Sequence, residues 1–144
     1  MGIRKLTALD FGPIRQLPVQ LTGSATPALQ LKKLRLMMND ANIRMFVEES
    51  GKKVNAFLAL QFMPSADCAL NFLLITHFSV DRFAVRQGAA LAVEEQVVCL
   101  AKENRSAAIL VRSDKLGTAA LRFYQQRGYT VSADILMKKL ETNE

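Results

Sequence analysis

The chain has 144 residues, half of them hydrophobic and 22% charged, enough to bury a core and too apolar for a disordered chain. Two cysteines and a single histidine exclude a disulfide framework and a Cys/His zinc site, and no apolar run is long enough to span a bilayer. The net charge of +6 suits an anionic partner such as nucleic acid, a membrane surface or a polyphosphate cofactor. The basic clusters Lys32-Lys33-Arg35, Lys52-Lys53 and Lys138-Lys139 read as solvated faces and turns. Aromatic residues do not interleave with them, so neither nucleic acid nor membrane is expected as a partner. Met1 to Leu6 has no signal-peptide core, and a cytoplasmic location is the default.

The elements follow from periodicity and punctuation. Ile3 to Leu6 reads as a short strand. Asp10, Pro13, Ile14, Leu17 and Leu21 open a helix that Pro18 ends or bends. Thr26-Pro27 starts a second helix, with Leu31, Leu34 and Met38 on one side. Asn39-Asp40 marks a turn, Ile43 to Glu48 a strand, and Ser50-Gly51-Lys52 a hairpin turn into Val54 to Phe62. Ala69 to Val80 is apolar on both faces, as a central strand should be. Gly88 to Asn104 is a helix with Ala90, Val93, Val97 and Leu100 along one stripe. Ala107 to Val111 is a buried strand, and Ser113 or Asp114 can cap a helix that runs to Arg127 and stops at Gly128. Tyr129 to Val131 and Ile135 to Leu140 complete the sheet. The order does not alternate strand and helix, so it predicts an α/β fold with a mixed, mostly antiparallel central sheet flanked by helices. With no repeat or linker, residues 1–144 are expected to form one domain.

The join between central strand and helix carries the chemistry. After Phe78-Ser79-Val80 comes a short loop, and the small residues Gly88, Ala89 and Ala90 open the helix. Free amides at such a start, with the helix dipole behind them, suit a pyrophosphate that approaches the backbone closely. Arg82 and Arg86 would reinforce the field. The segment is not a Walker loop, and it lacks the spaced glycines of a dinucleotide fingerprint.

Val85-Arg86-Gln87-Gly88-Ala89-Ala90 resembles the acyl-CoA pyrophosphate loop of the GCN5-related N-acetyltransferases, whose pattern is Arg/Gln-x-x-Gly-x-Gly/Ala. Ala120-Leu121-Arg122-Phe123-Tyr124 through Gly128-Tyr129 is similar to the family's Ala-x-x-Phe-Tyr-x-x-x-Gly-Phe/Tyr stretch. The opening at Ile3 and the ending Leu136 to Leu140 also match, so the resemblance spans nearly the whole chain in order. Val85 departs from the usual Arg or Gln, with Arg86 beside it as a substitute, and Gly117 stands where an Asn often contacts the cofactor.

The resemblance implies an acetyltransferase that moves an acetyl group from acetyl-CoA to a primary amine in a ternary complex, with no metal. Tyr124 would protonate the departing thiolate, since a phenol with pKa ~10 keeps its proton at neutral pH. His77 occupies the position of a Glu that serves many relatives as base, and a neutral imidazole can accept the amine proton. Backbone near Phe78, Ser79 and Val80, where the family's strand bulges, would polarise the carbonyl and hold the pantetheine arm as an extra strand. Few acidic residues lie on the acceptor side, which suits an amine carrying its own negative group, such as an amino acid or aminoalkylphosphonate. Two other readings stand against it: an acyl-CoA-binding module without turnover, for which Val85, Gly117 and the missing Glu leave room, and a small basic nucleic-acid-binding domain, for which nothing in the sequence places a recognition helix. Edge strands at the C-terminal end would need covering, which is compatible with a homodimer.

Overall fold

A computed structural model of the chain describes residues 2–22, 31–64, 71–82, 88–112, 116–131 and 138. Its strands are β1 (Gly2–Lys5), β2 (Val19–Gln20), β3 (Ile43–Ser50), β4 (Lys53–Met63), β5 (Asn71–Val80) and β6 (Ser106–Val111). Its helices are α1 (Phe11–Ile14), α2 (Leu31–Met38), α3 (Ala89–Glu103) and α4 (Thr118–Gln126), with a 3-10 turn over Ala8–Asp10. The described strands form one sheet in which β1, β3, β4 and β5 are antiparallel neighbours and β6 joins β5 in parallel. This is the expected mixed α/β arrangement.

The hairpin between β3 and β4 turns in two residues, Gly51 and Lys52, both at positive φ, the geometry that matches the twist of paired strands. Side chains alternate across the pleat and so feed two cores. On one face Ala56, Leu58, Leu60, Leu73, Ile75, Phe78 and Val80 pack with Val93 and Val97 of α3 and with Ala120 and Tyr124 of α4. On the other, Met45, Val47, Phe57 and Ala59 meet Phe11, Ile14, Leu17 and Leu34 from the α1–α2 side. Phe57, Leu58, Leu60, Leu73 and Phe78 are all at or near zero exposure; burying one such side chain contributes about 1.5–3 kcal/mol.

Asp10 ties the first strand to the first helix. Its carboxylate accepts two hydrogen bonds from the Arg4 guanidinium, at 2.8 and 2.9 Å, and one from the Thr7 amide. Arg4 also bridges to Glu49 on β3. The Arg4 bonds hold the Asp10 carboxyl below the usual carboxylate range despite its burial.

Four local expectations need correction. The first helix is only Phe11–Ile14 behind a 3-10 turn, because Pro13 and Pro18 leave no uninterrupted donor run. In α2 only Leu34 is buried, while Leu31 and Met38 are each 40% exposed. The helix expected to be capped by Ser113 or Asp114, which lie outside the described residues, instead starts at Thr118 with Gly117 as its N-cap. Residues 129–131 form no strand, and the expected last strand lies almost entirely outside the described residues. The C-terminal stop at Gly128 is as expected. Gly128 has φ +92°, its N–H donates to Gln125 O, and the Tyr129 N–H donates to Tyr124 O. That is a Schellman ending, which needs a residue free to turn left-handed.

Candidate functional site

The two halves of β5 have different neighbours. β4 covers one edge of β5 throughout, from Phe72 opposite Met63 to Val80 opposite Ala56. Along the other edge β6 pairs only as far as Ile75, opposite Val111. Beyond it the register with β4 skips Thr76, since Leu60 opposes Ile75 and Ala59 opposes His77. Thr76 is thus a bulge, and its hydroxyl donates to the Ala59 carbonyl at 3.1 Å. The bulge lies two residues before Phe78–Val80, where it was expected, because the Thr76 side chain supplies the bond that holds the extra residue. It coincides with the point where β6 departs.

The edge left by β6 is covered by β2, which the sequence reading did not anticipate. Val19 pairs with Val80 and Gln20 with Ser79, and the Leu21 amide donates to Phe78 O at 2.7 Å. The Ser79 hydroxyl donates to Gln20 Oε1 at 3.0 Å. The Asp81 amide points the other way, to Asn55 O on β4. Main-chain groups alternate sides along a strand, so those of Phe78 and Val80 face β2. The same two residues are among those expected to hold the pantetheine arm. The structure places the chain's own segment against them.

Tyr124 reaches this segment from α4. It is 2% exposed, and its hydroxyl donates to the Leu21 carbonyl. The ring stacks edge-on with Phe123 and Tyr129, at centroid distances of 5.3 and 5.2 Å. Phe123 in turn packs edge-on against Phe78 at 6.1 Å. Burial pushes the Tyr124 phenol well above its ordinary pKa of 10, so it keeps its proton at any physiological pH.

His77 lies on the other face of β5. It opposes Ala59, and its ring sits 6.2 Å from that of Phe57, both members of the α1–α2 core. Its Nδ1 is 3.3 Å from Thr76 Oγ1. Desolvation lowers its pKa from 6.5, so the imidazole is neutral at pH 7 and able to accept a proton. Tyr124 packs with Phe78 and Val80 on the opposite face. The structure therefore brings the two candidate side chains to one half of β5, from its two sides, and not to one face.

The start of α3 carries the expected small residues. Its N-cap, Gly88, adopts φ +80°, and a Cβ there would meet no atom within 4 Å; the backbone conformation, not crowding, calls for glycine. Ala89 and Ala90 are buried against the sheet. Val85, Arg86 and Gln87 lie outside the described residues. Gly117 caps α4 in an extended conformation that any residue adopts. A pocket of about 480 Å³ opens elsewhere, between α3, β6 and residues 127–130. Among the described residues, no cluster of three His, Cys, Asp or Glu side chains is arranged to hold a metal ion, and no helix is long and apolar enough to cross a membrane.

No family model and no curated protein matches the sequence. Solved structures do match the fold. A ribosomal-protein-alanine N-acetyltransferase from Brucella melitensis biovar Abortus 2308 aligns with a TM-score of 0.73 at 15% identity, over 99% of this chain and 100% of that one. An aminoglycoside acetyltransferase, meta-AAC0020, from an uncultured soil metagenomic sample aligns at 0.77 and 17% identity, over 99% and 96%. A transcriptional regulator from Bacillus halodurans C-125 aligns at 0.77 and 23% identity, over 96% and 99%. The chain has the GCN5-related N-acetyltransferase fold.

Proposed function

We propose that this chain is an acyl-CoA-dependent N-acyltransferase that moves an acetyl group from acetyl-CoA to a primary amine. One observation carries the reading: β6 leaves β5 at Ile75, and the main-chain groups of Phe78 and Val80 then face an edge that, among the described residues, is covered by the two-residue strand β2 and the Leu21 amide. An extended thioester arm bearing amides has the chemistry to pair with such an edge. The start of α3 lies just beyond β5, where amides of the first turn favour a diphosphate.

The amine nitrogen attacks the thioester carbonyl carbon, the carbon–sulfur bond breaks, and the thiolate leaves. His77, neutral because it is desolvated, takes the proton that the amine loses. Tyr124 supplies a proton to the departing sulfur. Approach from opposite faces of β5 suits these roles, since nitrogen and sulfur are different substituents of the same tetrahedral carbon. On the acceptor side an amine with its own negative group is favoured by the surplus of Lys and Arg.

The covered edge also favours a second reading, an acyl-CoA-binding module without turnover. Thermal-shift titration with acetyl-CoA followed by thiol-release assays over a panel of amines separates the two. The transferase reading predicts a melting temperature that rises with acetyl-CoA and thiol release with at least one amine. Binding without release with any amine supports the module, and absence of binding overturns both.

A further inference from the structure

The segment Val19–Thr22 occupies the edge that an acyl-CoA arm would need. We propose that it is a resident inhibitory strand, displaced when acyl-CoA binds, and that its departure releases the Tyr124 hydroxyl for catalysis. This rests on the acyl-CoA reading above.

Three observations converge on it. The first is identity of place. β2 lies on the β6 side of β5, beyond the last β6 pair, and takes the outward main-chain groups of Phe78 and Val80. Two strands cannot use one row of donors and acceptors, so the resident segment and a pantetheine arm exclude each other. The second is the hydrogen bond from Tyr124 to the Leu21 carbonyl. While that bond stands, the proton needed by a leaving thiolate is committed to the segment. Removal of the segment frees the edge and the proton together.

The third is the weakness of the hold. The hold is weak at Val19 and Gln20, which are only half-buried in a strand of two paired residues behind Pro18, which cannot donate to a ladder. The buried Leu21, a member of the core, is the anchor that acyl-CoA must displace. The Thr22 hydroxyl is buried with no hydrogen-bond partner, a penalty that ends when the segment swings into water. Pairing with β6 stops at Ile75, before the shared edge begins, so opening there leaves the β5–β6 pairs intact. Binding through a minor open state lowers the apparent affinity by the fraction that is open.

The geometry offers a reversible lock. Gln20 and Ser79 are directly opposed, and the neighbouring Leu21–Phe78 bond makes theirs the non-hydrogen-bonded type of pair. Its Cα separation of about 4.5 Å falls within disulfide range. The test uses Gln20→Cys with Ser79→Cys in a Cys68→Ser, Cys99→Ser background, titrated with a thioether analogue of acetyl-CoA that carries no thiol. Oxidation should weaken binding at least about tenfold, with recovery on adding reductant. Equal binding by the oxidised and reduced forms overturns the inhibitory strand.

Wild-type protein that fails to bind the analogue defeats the acyl-CoA reading itself, a different outcome from a lock without effect. If the paired cysteines impair binding in both redox states, Val19→Pro decides. It removes one ladder donor facing Val80 and should tighten binding about fivefold, the worth of one hydrogen bond. Unchanged or weaker binding by Val19→Pro counts against the proposal.

Discussion

From Asn71 to Ile75, β5 lies between β4 and β6, and both of its edges are filled by strands of six residues or more. From Thr76 to Val80 it keeps β4 but exchanges β6 for two residues of β2. The first half resembles the interior of any buried sheet. Among the described residues, the second half is satisfied by a segment from far along the chain, held by the Tyr124 and Gln20 hydrogen bonds and by Leu21 in the core. Its backbone groups are paired in the resting structure, and in the proposed account another extended partner takes them over when the segment leaves. A chain that must bind an extended ligand to its own sheet without leaving an open edge to other chains has reason to be built this way.

Substitutions should separate the halves. Leu73→Ala in the first half removes a fully buried side chain and should destabilise the fold by about 3 kcal/mol in urea denaturation. Val19→Ala, in the strand that covers the second half, should cost less than ~1 kcal/mol. Similar losses at both positions would mean that the halves are held alike.

Tyr124→Phe should lower the transfer rate about a hundredfold while acetyl-CoA binding is retained or improved, because the bond to Leu21 is gone. Steady-state kinetics set beside thermal-shift titration would show the split. Since desolvation lowers the His77 pKa, the acid limb of kcat/KM should fall at a pH below 6.5 and disappear in His77→Ala.

Much of this could be read from sequence, and the exceptions have a common cause. The β3–β4 hairpin, the long apolar run of β5, the α3 stripe and the stop at Gly128 depend on local pattern. Their periodicity or turn chemistry sits within a few neighbouring residues. Tyr124 and His77 were marked by resemblance, and the structure puts both beside the end of β5. β2 had no such signal. Two residues after a proline have no period, and the side-chain bond that holds them joins Gln20 to Ser79 across 59 positions. The bulge at Thr76 is equally silent, because a threonine in a strand is ordinary until its hydroxyl meets the carbonyl of Ala59. The opposite faces of His77 and Tyr124 depend on register, which one skipped residue resets.

The remaining expectations concern the frame around the site. Asp10→Asn should destabilise the chain by about 2 kcal/mol at neutral pH, since it leaves Arg4 without its buried partner. The Asp10 carboxyl is lowered from 3.8 by Arg4, so its stabilisation is complete above that value. It is lost as pH falls through the depressed pKa. The variant should lack this acid-sensitive increment in a pH series of melting curves.

Glu48 should give an effect of opposite sign. It is 1% exposed; one carboxyl oxygen accepts from Ser50 at 2.6 Å and the other has no partner. Glu48→Gln should gain roughly 1 kcal/mol, as a neutral amide is easier to bury than an unsatisfied carboxylate.

Hydrogen exchange at the Leu21 amide, read residue by residue with and without acetyl-CoA, is the most direct probe of how the second half of β5 works. That amide donates to Phe78 O in the resting chain. Faster exchange at Leu21 on adding acetyl-CoA, with Leu73 unchanged, is the predicted result. Slower or unaltered exchange at Leu21 in a saturated complex would show that ligand and resident strand do not compete for one edge.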